Sequence, residues 1–341
     1  MKRNKKRPTM GDVARLSGVS QTTVSFVIND VPNTSISEKT RAAVMKAVKE
    51  LGYTPNAMAI GLRTSQSRVL GLVADEIAIT PFGGYIIKGA QDAAREHGWL
   101  LMLMNSGKDA SIEDEEISIL LSRQVDGIIL ATMRHRIVEP PQLLYQIPSV
   151  LLDCRDEGNT LPFVVPDEFL GGYQATELLL KKGHRCVGMI NTTEDVPSAK
   201  LREKGFLQAL ADYNVPDADD LVAYGDDGNA KTGYDGTKTL FSRYEDMTAL
   251  FCFNDRVAMG AYDALRLMQK RIPEDVAVIG FDNYEIIAAN LYPELTTMHL
   301  PLYEMGKWAA ETVLQIAQST GETEATPQAM IPCPLVMRNS V

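Results

Sequence analysis

From residue 68 onward the chain alternates short apolar runs with stretches of helical period, and this most limits what it can fold into. Residues 69–74, 99–104, 127–131, 149–153, 186–190, 249–253 and 276–280 are apolar runs of strand length. Continuous apolar runs mark strands covered on both faces, as in parallel sheets. Between them, 86–97, 112–123, 171–182, 199–212 and 256–270 repeat apolar residues at helical spacing. Strand–helix order of this kind specifies an α/β fold of doubly wound parallel sheets with helices on both faces. The strands are too many for one sheet, so two lobes with a cleft between them are expected. Ligands of such sheets sit beyond the carboxyl ends of the strands. Polar residues gather there: Asp153 after LL, Asn254 and Asp255 after FCF, and Asp282 after VIGF. Ser198 and Arg202 open the AKLREKGF helix.

The first 67 residues differ in charge. They hold 11 Lys and Arg against 4 Asp and Glu, a charge of +7; with −10 for the whole chain, the rest carries −17. A basic head on an acidic body points to nucleic acid at one end. The Lys2-Arg3-Asn4-Lys5-Lys6-Arg7 tail suits phosphate contact. Residues 9–29, TMGDVARLSGVSQTTVSFVIN, carry two short helices with their punctuation. Thr9, three residues before Asp12, can cap the first. Val13, Ala14 and Leu16 give it an apolar side, and Gly18 ends it. Ser20 can cap a second helix, Gln21–Ile28. Val24 and Val27 would face inward. Gln21, Thr22, Ser25 and Phe26 would face outward, toward base edges and phosphates in a major groove. Ser37 can cap a third helix, Glu38–Leu51, closed by Gly52. From these residues alone, the segment is either a DNA-reading helix-turn-helix or a plain helical hairpin.

Several classes are disfavoured. No apolar run follows the basic start, and no stretch of about 18 apolar residues suggests a membrane span. Cys154, Cys186, Cys252 and Cys333 lack metal-ligand spacing, so reduced thiols and a cytoplasmic location are expected. His97, His135, His184 and His299 are scattered, with His184 read as a structural turn residue. With no nucleophile–base set and no phosphate-cradling Gly-rich loop, no enzyme, metal or cofactor is expected.

GDVARLSGVSQTTVS and ELGYTPNAMAIGLRT, followed by LGLVAD, VDGIIL, GHRCVGMI, AKLREKGF, FCFNDRVAMGA, VAVIGFDN and PELTTMH, closely resemble the LacI/GalR (lac repressor) family of bacterial transcription regulators. The resemblance covers the chain after its first seven residues. It implies a DNA-binding domain over 1–54, a hinge helix and linker over 55–67, and a periplasmic-binding-protein-like body over 68–341. The body's chain should cross between lobes near Pro166, Asn290 and Ser319. That gives one lobe from about 68–165 with 291–319 and another from 166–290 with 320–341. The implied function is a regulator, a repressor of carbohydrate-use genes, that binds a pseudo-palindromic double-stranded DNA operator as a homodimer. A small sugar in the cleft would be its effector.

The implied DNA contacts are Thr9, Ser20, Gln21, Thr22, Thr23, Ser25, Phe26 and Asn29 in the head, and Tyr53, Asn56, Ala59 and Leu62 at the hinge. Leu62 matches an apolar wedge that enters a base step. The implied effector contacts are Phe82, Asp153, Ser198, Arg202, Asn254, Arg256 and Asp282. Arg202 and Asp282 would grip vicinal hydroxyls, which both donate and accept. Asp255 is read as structural. A purine or a partner protein as corepressor is the alternative within the family. A solute-binding protein or sugar-processing enzyme would need no residues 1–62.

Two departures from the family pattern matter. Many relatives carry a stacking aromatic where this chain has Asp227 and Gly228, which leaves Phe163, Tyr173 or Tyr284 as replacements. Many also carry Arg or another polar residue where this chain has Phe26. Phe cannot hold guanine O6 and N7, so a weaker guanine requirement is expected there. The other reading of Phe26 packs it on the third helix.

Overall fold

The computed structural model describes residues 7–31, 34–55, 66–76, 80, 83–107, 109–216, 218–319 and 326–341. They form two compact units that meet in sequence at Ser67 and Arg68.

The head has three helices, α1 (Met10–Ser17), α2 (Gln21–Ile28) and α3 (Glu38–Leu51). Eight-residue helices are too short to stand alone in water, so their ends and buried faces decide the fold. Thr9 and Asp12 cap α1 reciprocally: the Asp12 N–H donates to Thr9 Oγ1 at 3.3 Å and the Thr9 N–H to Asp12 Oδ2 at 2.9 Å. Gly18 ends α1 with φ 69°, a left-handed turn that suits glycine. Ser20 caps α2 by accepting from Thr23 N–H at 3.1 Å. Val13, Ala14, Val24, Val27, Val44 and Ala47 form the core. Leu16, expected on the apolar side of α1, is exposed instead, because Val13 and Ala14 already fill the contact with the other helices.

The body contains two six-stranded sheets. The first is built from β1 (Val69–Ala74), β2 (Leu100–Asn105), β3 (Gly127–Val138), β4 (Ser149–Asp156), β5 (Phe163–Pro166) and β11 (Gln328–Ile331), in the order β11-β5-β4-β3-β1-β2, all parallel. Helices α4 (Gly83–Glu96), α5 (Ala110–Ser122) and α11 (Leu302–Gln318) cover its two faces over separate apolar clusters. The second uses β6 (Val187–Thr192), β7 (Val222–Gly225), β8 (Ala249–Cys252), β9 (Ala277–Asp282), β10 (Thr296–His299) and β12 (Leu335–Val336), in the order β12-β10-β9-β8-β6-β7. Only β12 runs antiparallel to its neighbour. It carries α6 (Glu168–Lys181), α7 (Pro197–Asp212), α8 (Ala230–Arg243), α9 (Asp255–Leu267) and the short α10 (Glu285–Ala288) around one core.

The chain leaves the first sheet at Pro166, the end of β5. The other two expected crossings are corrected. Residues 296–299 pair with β9, so the chain leaves the second lobe near Leu300 and not Asn290. Residues 328–331 pair with β5, so the last crossing follows Ile331 and not Ser319. In both places a four-residue strand holds the chain to its lobe through backbone hydrogen bonds that an apolar pattern does not reveal. Among the described residues no helix is long and apolar enough to cross a membrane, and no cluster of metal-ligating side chains occurs. All four cysteines are free thiols.

Candidate DNA-reading face and effector cleft

Burial of Val24 and Val27 fixes the rotation of α2, and that leaves Gln21, Thr22 and Phe26 exposed. Phe26 is 37% exposed, and the buried core of the head is made by other residues. Ser25 and Thr23 are half-buried. Asn29 Nδ2 donates to Ser25 O at 2.7 Å and Ser25 Oγ at 3.2 Å, tying those two side chains together. Thr9 and Ser20 are exposed but act as helix caps. Tyr53 rests partly on the core of the head. Asn56, Ala59 and Leu62 lie outside the described residues.

Between the lobes of the body lies a cavity of about 320 Å³. Arg202 anchors it. Gly172 on α6 and Gly205 on α7 let the two helices touch: a Cβ on Gly172 would strike the Arg202 backbone, and one on Gly205 that of Phe169. This close approach sets Glu168, at the start of α6, against Arg202. Arg202 Nε donates to Glu168 Oε2 at 2.5 Å and Nη2 to Glu168 Oε1 at 3.2 Å. Nη1 donates to the Phe253 carbonyl at 2.6 Å. The guanidinium lies 3.6 Å from the Phe281 ring centre and 4.8 Å from that of Phe253. Three of its five N–H donors are thus engaged, leaving two.

Asp282 Oδ1 stands 3.6 Å from Arg202 Nη1. Its φ of 107° is left-handed, a strain of the kind that gathers at functional sites. Burial pushes its carboxyl up to about 7 against the opposing pull of Arg202. Burial prevails because Glu168 already neutralises most of that guanidinium. Asp153, on β4, also has a left-handed φ, 55°. Burial first, and the Glu168 charge second, hold its carboxyl well above the usual range. Its Oδ1 has no hydrogen-bond partner among the described residues.

Of the other sequence-predicted residues, Ser198 and Arg256 line the cavity. Asn254 lines it too, but its side chain serves the scaffold. Its Oδ1 accepts from Val257 N–H at 2.9 Å and its Nδ2 donates to Gly228 O at 3.0 Å. Phe82 lies outside the described residues. Asp255 is structural as expected, accepting from Tyr284 N–H and Thr297 Oγ1 at 2.6 Å each.

The departure at Asp227 and Gly228 has a local cause. A Cβ on Gly228 would come 2.7 Å from Asn254 Nδ2, so this loop packs as scaffold. Of the three candidate replacements, only Tyr284 lines the cavity. Phe163 is core, and Tyr173 donates to Asp212 Oδ2 at 3.0 Å on α7.

Sequence reasoning missed Met133, Arg134 and His135, which all line the cavity. β3 runs to Val138, with a register shift between Ala131 and Arg136 that carries these side chains past the sheet edge. Asp75 holds the extension, accepting from Arg136 Nη2 at 2.8 Å and Met133 N–H at 3.3 Å. Burial holds His135 down to about 4, with the Arg155 charge as the next cause, so it is neutral at pH 7. Both of its ring nitrogens lack a hydrogen-bond partner among the described residues. Arg134, from the first lobe, forms an ion pair with Glu194 of the second. Glu168 and Phe253 were missed as well; PDEF places an acid at a helix start, a signal that was available.

Comparison with known proteins agrees with this architecture. A family model described as periplasmic binding proteins and sugar binding domain of LacI family matches residues 67–339. One described as bacterial regulatory proteins, lacI family, matches residues 9–56. The HTH-type transcriptional regulator RegA of Clostridium saccharobutylicum is 34% identical over 308 residues, covering 89% of this chain and 91% of its own. The ribose operon repressor of Escherichia coli strain K12 is 33% identical over 320 residues, covering 92% and 94%. The solved complex of the transcriptional regulator CelR with cellobiose aligns with a TM-score of 0.69 at 31% identity, covering 98% of this chain and 100% of its own. A DNA-reading head and an effector-binding body in one chain are the parts of a regulator and not of an enzyme. The chain belongs to the LacI family of bacterial transcription regulators.

Proposed function

We propose that this chain represses carbohydrate-use genes as a homodimer on a pseudo-palindromic operator, and that a small sugar in the interlobe cleft sets its hold on DNA. The observation that carries the sugar reading is the set of unpartnered polar atoms in the cleft. Asp153 Oδ1 and both His135 ring nitrogens are buried and lack partners among the described residues. Such atoms are nearly always hydrogen-bonded, and each left unmet costs about 1–3 kcal/mol. A ligand rich in hydroxyls meets donors and acceptors alike. Arg202, Asp282, Asp153 and Ser198 are its proposed contacts. The names of the ribose operon repressor and the cellobiose-bound regulator agree with a saccharide.

On DNA, Gln21, Thr22 and Phe26 are the proposed base-reading side chains of α2. Leu62 is the proposed minor-groove wedge, and Asn56 and Ala59 belong to the hinge that carries it. Two heads read two half-sites, which requires two copies. Leu100 and Leu103 on the edge strand β2, with Ile112 and Ile119 on α5, offer exposed apolar surface for the second copy. The effector acts only through its differential affinity for the two lobe arrangements.

Thermal melting against mono- and disaccharides, sugar phosphates and purines tests the cleft. A ligand at a hundred times its Kd adds about 2.7 kcal/mol. One saccharide should raise the melting temperature in the wild type and not in Asp282→Ala or Arg202→Ala. A shift with purines alone would replace the sugar, and no shift with any compound would reject a small-molecule effector. Selection from random DNA should return an inverted repeat; a single unpaired half-site would reject the dimer.

A further inference from the structure

Among the described residues three guanidiniums line the cleft, and they are not equally compensated. Arg202 has Glu168 in a two-point ion pair, and Arg134 has Glu194. Arg256, the second residue of α9, makes no hydrogen bond or ion pair among the described residues, and its Nε is buried without a partner. Asp282 acts on all three cations but pairs within reach only of Arg202. Arg134 and Arg256 feel each other: burial first, and the Arg256 charge second, push the Arg134 guanidinium below its ordinary value. Arg134 is partly exposed, paired with Glu194 and also within the field of Asp282, Asp227 and Glu76, so the uncompensated cation is Arg256, whose buried Nε an anion entering the cleft would meet. Guanidinium is the side chain suited to planar, two-point contact with a carboxylate or phosphate. The stacking loop offers no substitute grip, because Gly228 and Asn254 pack it as scaffold. The cavity, about 320 Å³, lies at the small end of ligand pockets, about 300–1,000 Å³, and suits one sugar ring.

We infer that the effector is an anionic monosaccharide derivative, its carboxylate or phosphate held by Arg256 and Arg134 while its hydroxyls meet Arg202 and Asp282. The inference rests on the cleft being the effector site. It adds the charge of the ligand, which a neutral sugar would lack.

The test measures binding to the full chain by calorimetry, with three classes of probe. D-Glucuronate and D-galacturonate carry a carboxylate, glucose 6-phosphate carries a phosphate, and D-glucose and D-galactose are the neutral parents. A charged probe should bind about 10- to 100-fold more tightly than its parent. Arg256→Gln should level that ratio, and Arg256→Lys, which keeps charge without the fork, should retain part of it. Preference for the acids over the phosphate, or the reverse, identifies which anion the site takes. A neutral parent that binds as tightly as its charged counterpart, with a ratio unmoved by Arg256→Gln, would overturn the inference while the sugar-binding cleft stands. Binding of purines with none of these probes would overturn both.

Discussion

The two walls of the cleft are built on opposite plans. On the second lobe, Arg202 is held by Glu168, the Phe253 carbonyl and two aromatic faces, and Asn254 is fixed at both ends of its amide. On the first lobe, His135 and Asp153 present buried polar atoms that nothing among the described residues meets. The second-lobe wall is pre-organised around Arg202, with the buried Nε of Arg256 as its unmet atom among the described residues. Under the proposed function the first-lobe wall is completed by the ligand, so it is the wall whose energy changes most on binding. That asymmetry suits a switch: a rigid wall positions the effector, and the unfilled wall supplies the differential affinity that moves the equilibrium.

The rigid wall is the easier to break. Glu168→Gln removes the charge beneath Arg202 and leaves a buried guanidinium largely unpaired. Removing one partner of a buried ion pair costs about 3–5 kcal/mol, the largest effect expected in the body. Urea unfolding of the ligand-free protein measures it. A loss under about 1 kcal/mol would mean that solvent reaches the pair and that the wall is less fixed than its geometry.

How much of this was legible in the sequence follows the same division. β1 was read residue for residue, because it is a pure apolar run buried on both faces. β3 was cut at Ala131, where polar residues begin; a register shift and the Asp75 contacts, both tertiary, carry it on to Val138. The rigid wall was half visible, since Arg202 and Asp282 stand beside recognisable motifs while Glu168 does not. The unfilled wall was visible only at Asp153, because Arg134 and His135 lie past the apparent end of a strand. Helix α8 was missed because Gly233 and Gly236 weaken its helical pattern. Its packing reverses that, since a Cβ on Gly233 would strike the Val257 carbonyl of α9.

A second experiment sharpens the comparison through pH. Asp282 bridges the two plans: it faces Arg202, yet burial pushes its carboxyl up to about 7. The unfolded value is about 3.9. A carboxyl raised on folding binds its proton more tightly in the native state, so its stabilising contribution is complete below about pH 4 and is lost as pH rises through about 7. The ligand-free wild type should therefore lose on the order of a few kcal/mol across that window relative to Asp282→Asn, which does not titrate. Chemical unfolding of both proteins at pH 4.5, 6 and 8 reads the difference. Parallel curves would show that Asp282 stays ionised and that Arg202 governs it.

The smallest effect probes the unfilled wall, and its sign is the informative part. His135 is buried and neutral at pH 7, and its two ring nitrogens lack partners among the described residues. Replacing an unmet polar group with an apolar one removes a penalty of about 1–3 kcal/mol, and the branched, slightly bulkier leucine in place of a flat ring gives part of it back as packing strain. His135→Leu should therefore leave the ligand-free melting temperature unchanged or a few degrees higher, although the residue is 4% exposed. The same substitution should weaken the effector, because it removes a donor and an acceptor from the wall that the ligand completes. Stability and affinity moving in opposite directions mark a group kept for binding. If both fell together, His135 would belong to the scaffold, and the unfilled wall would reduce to Asp153 alone.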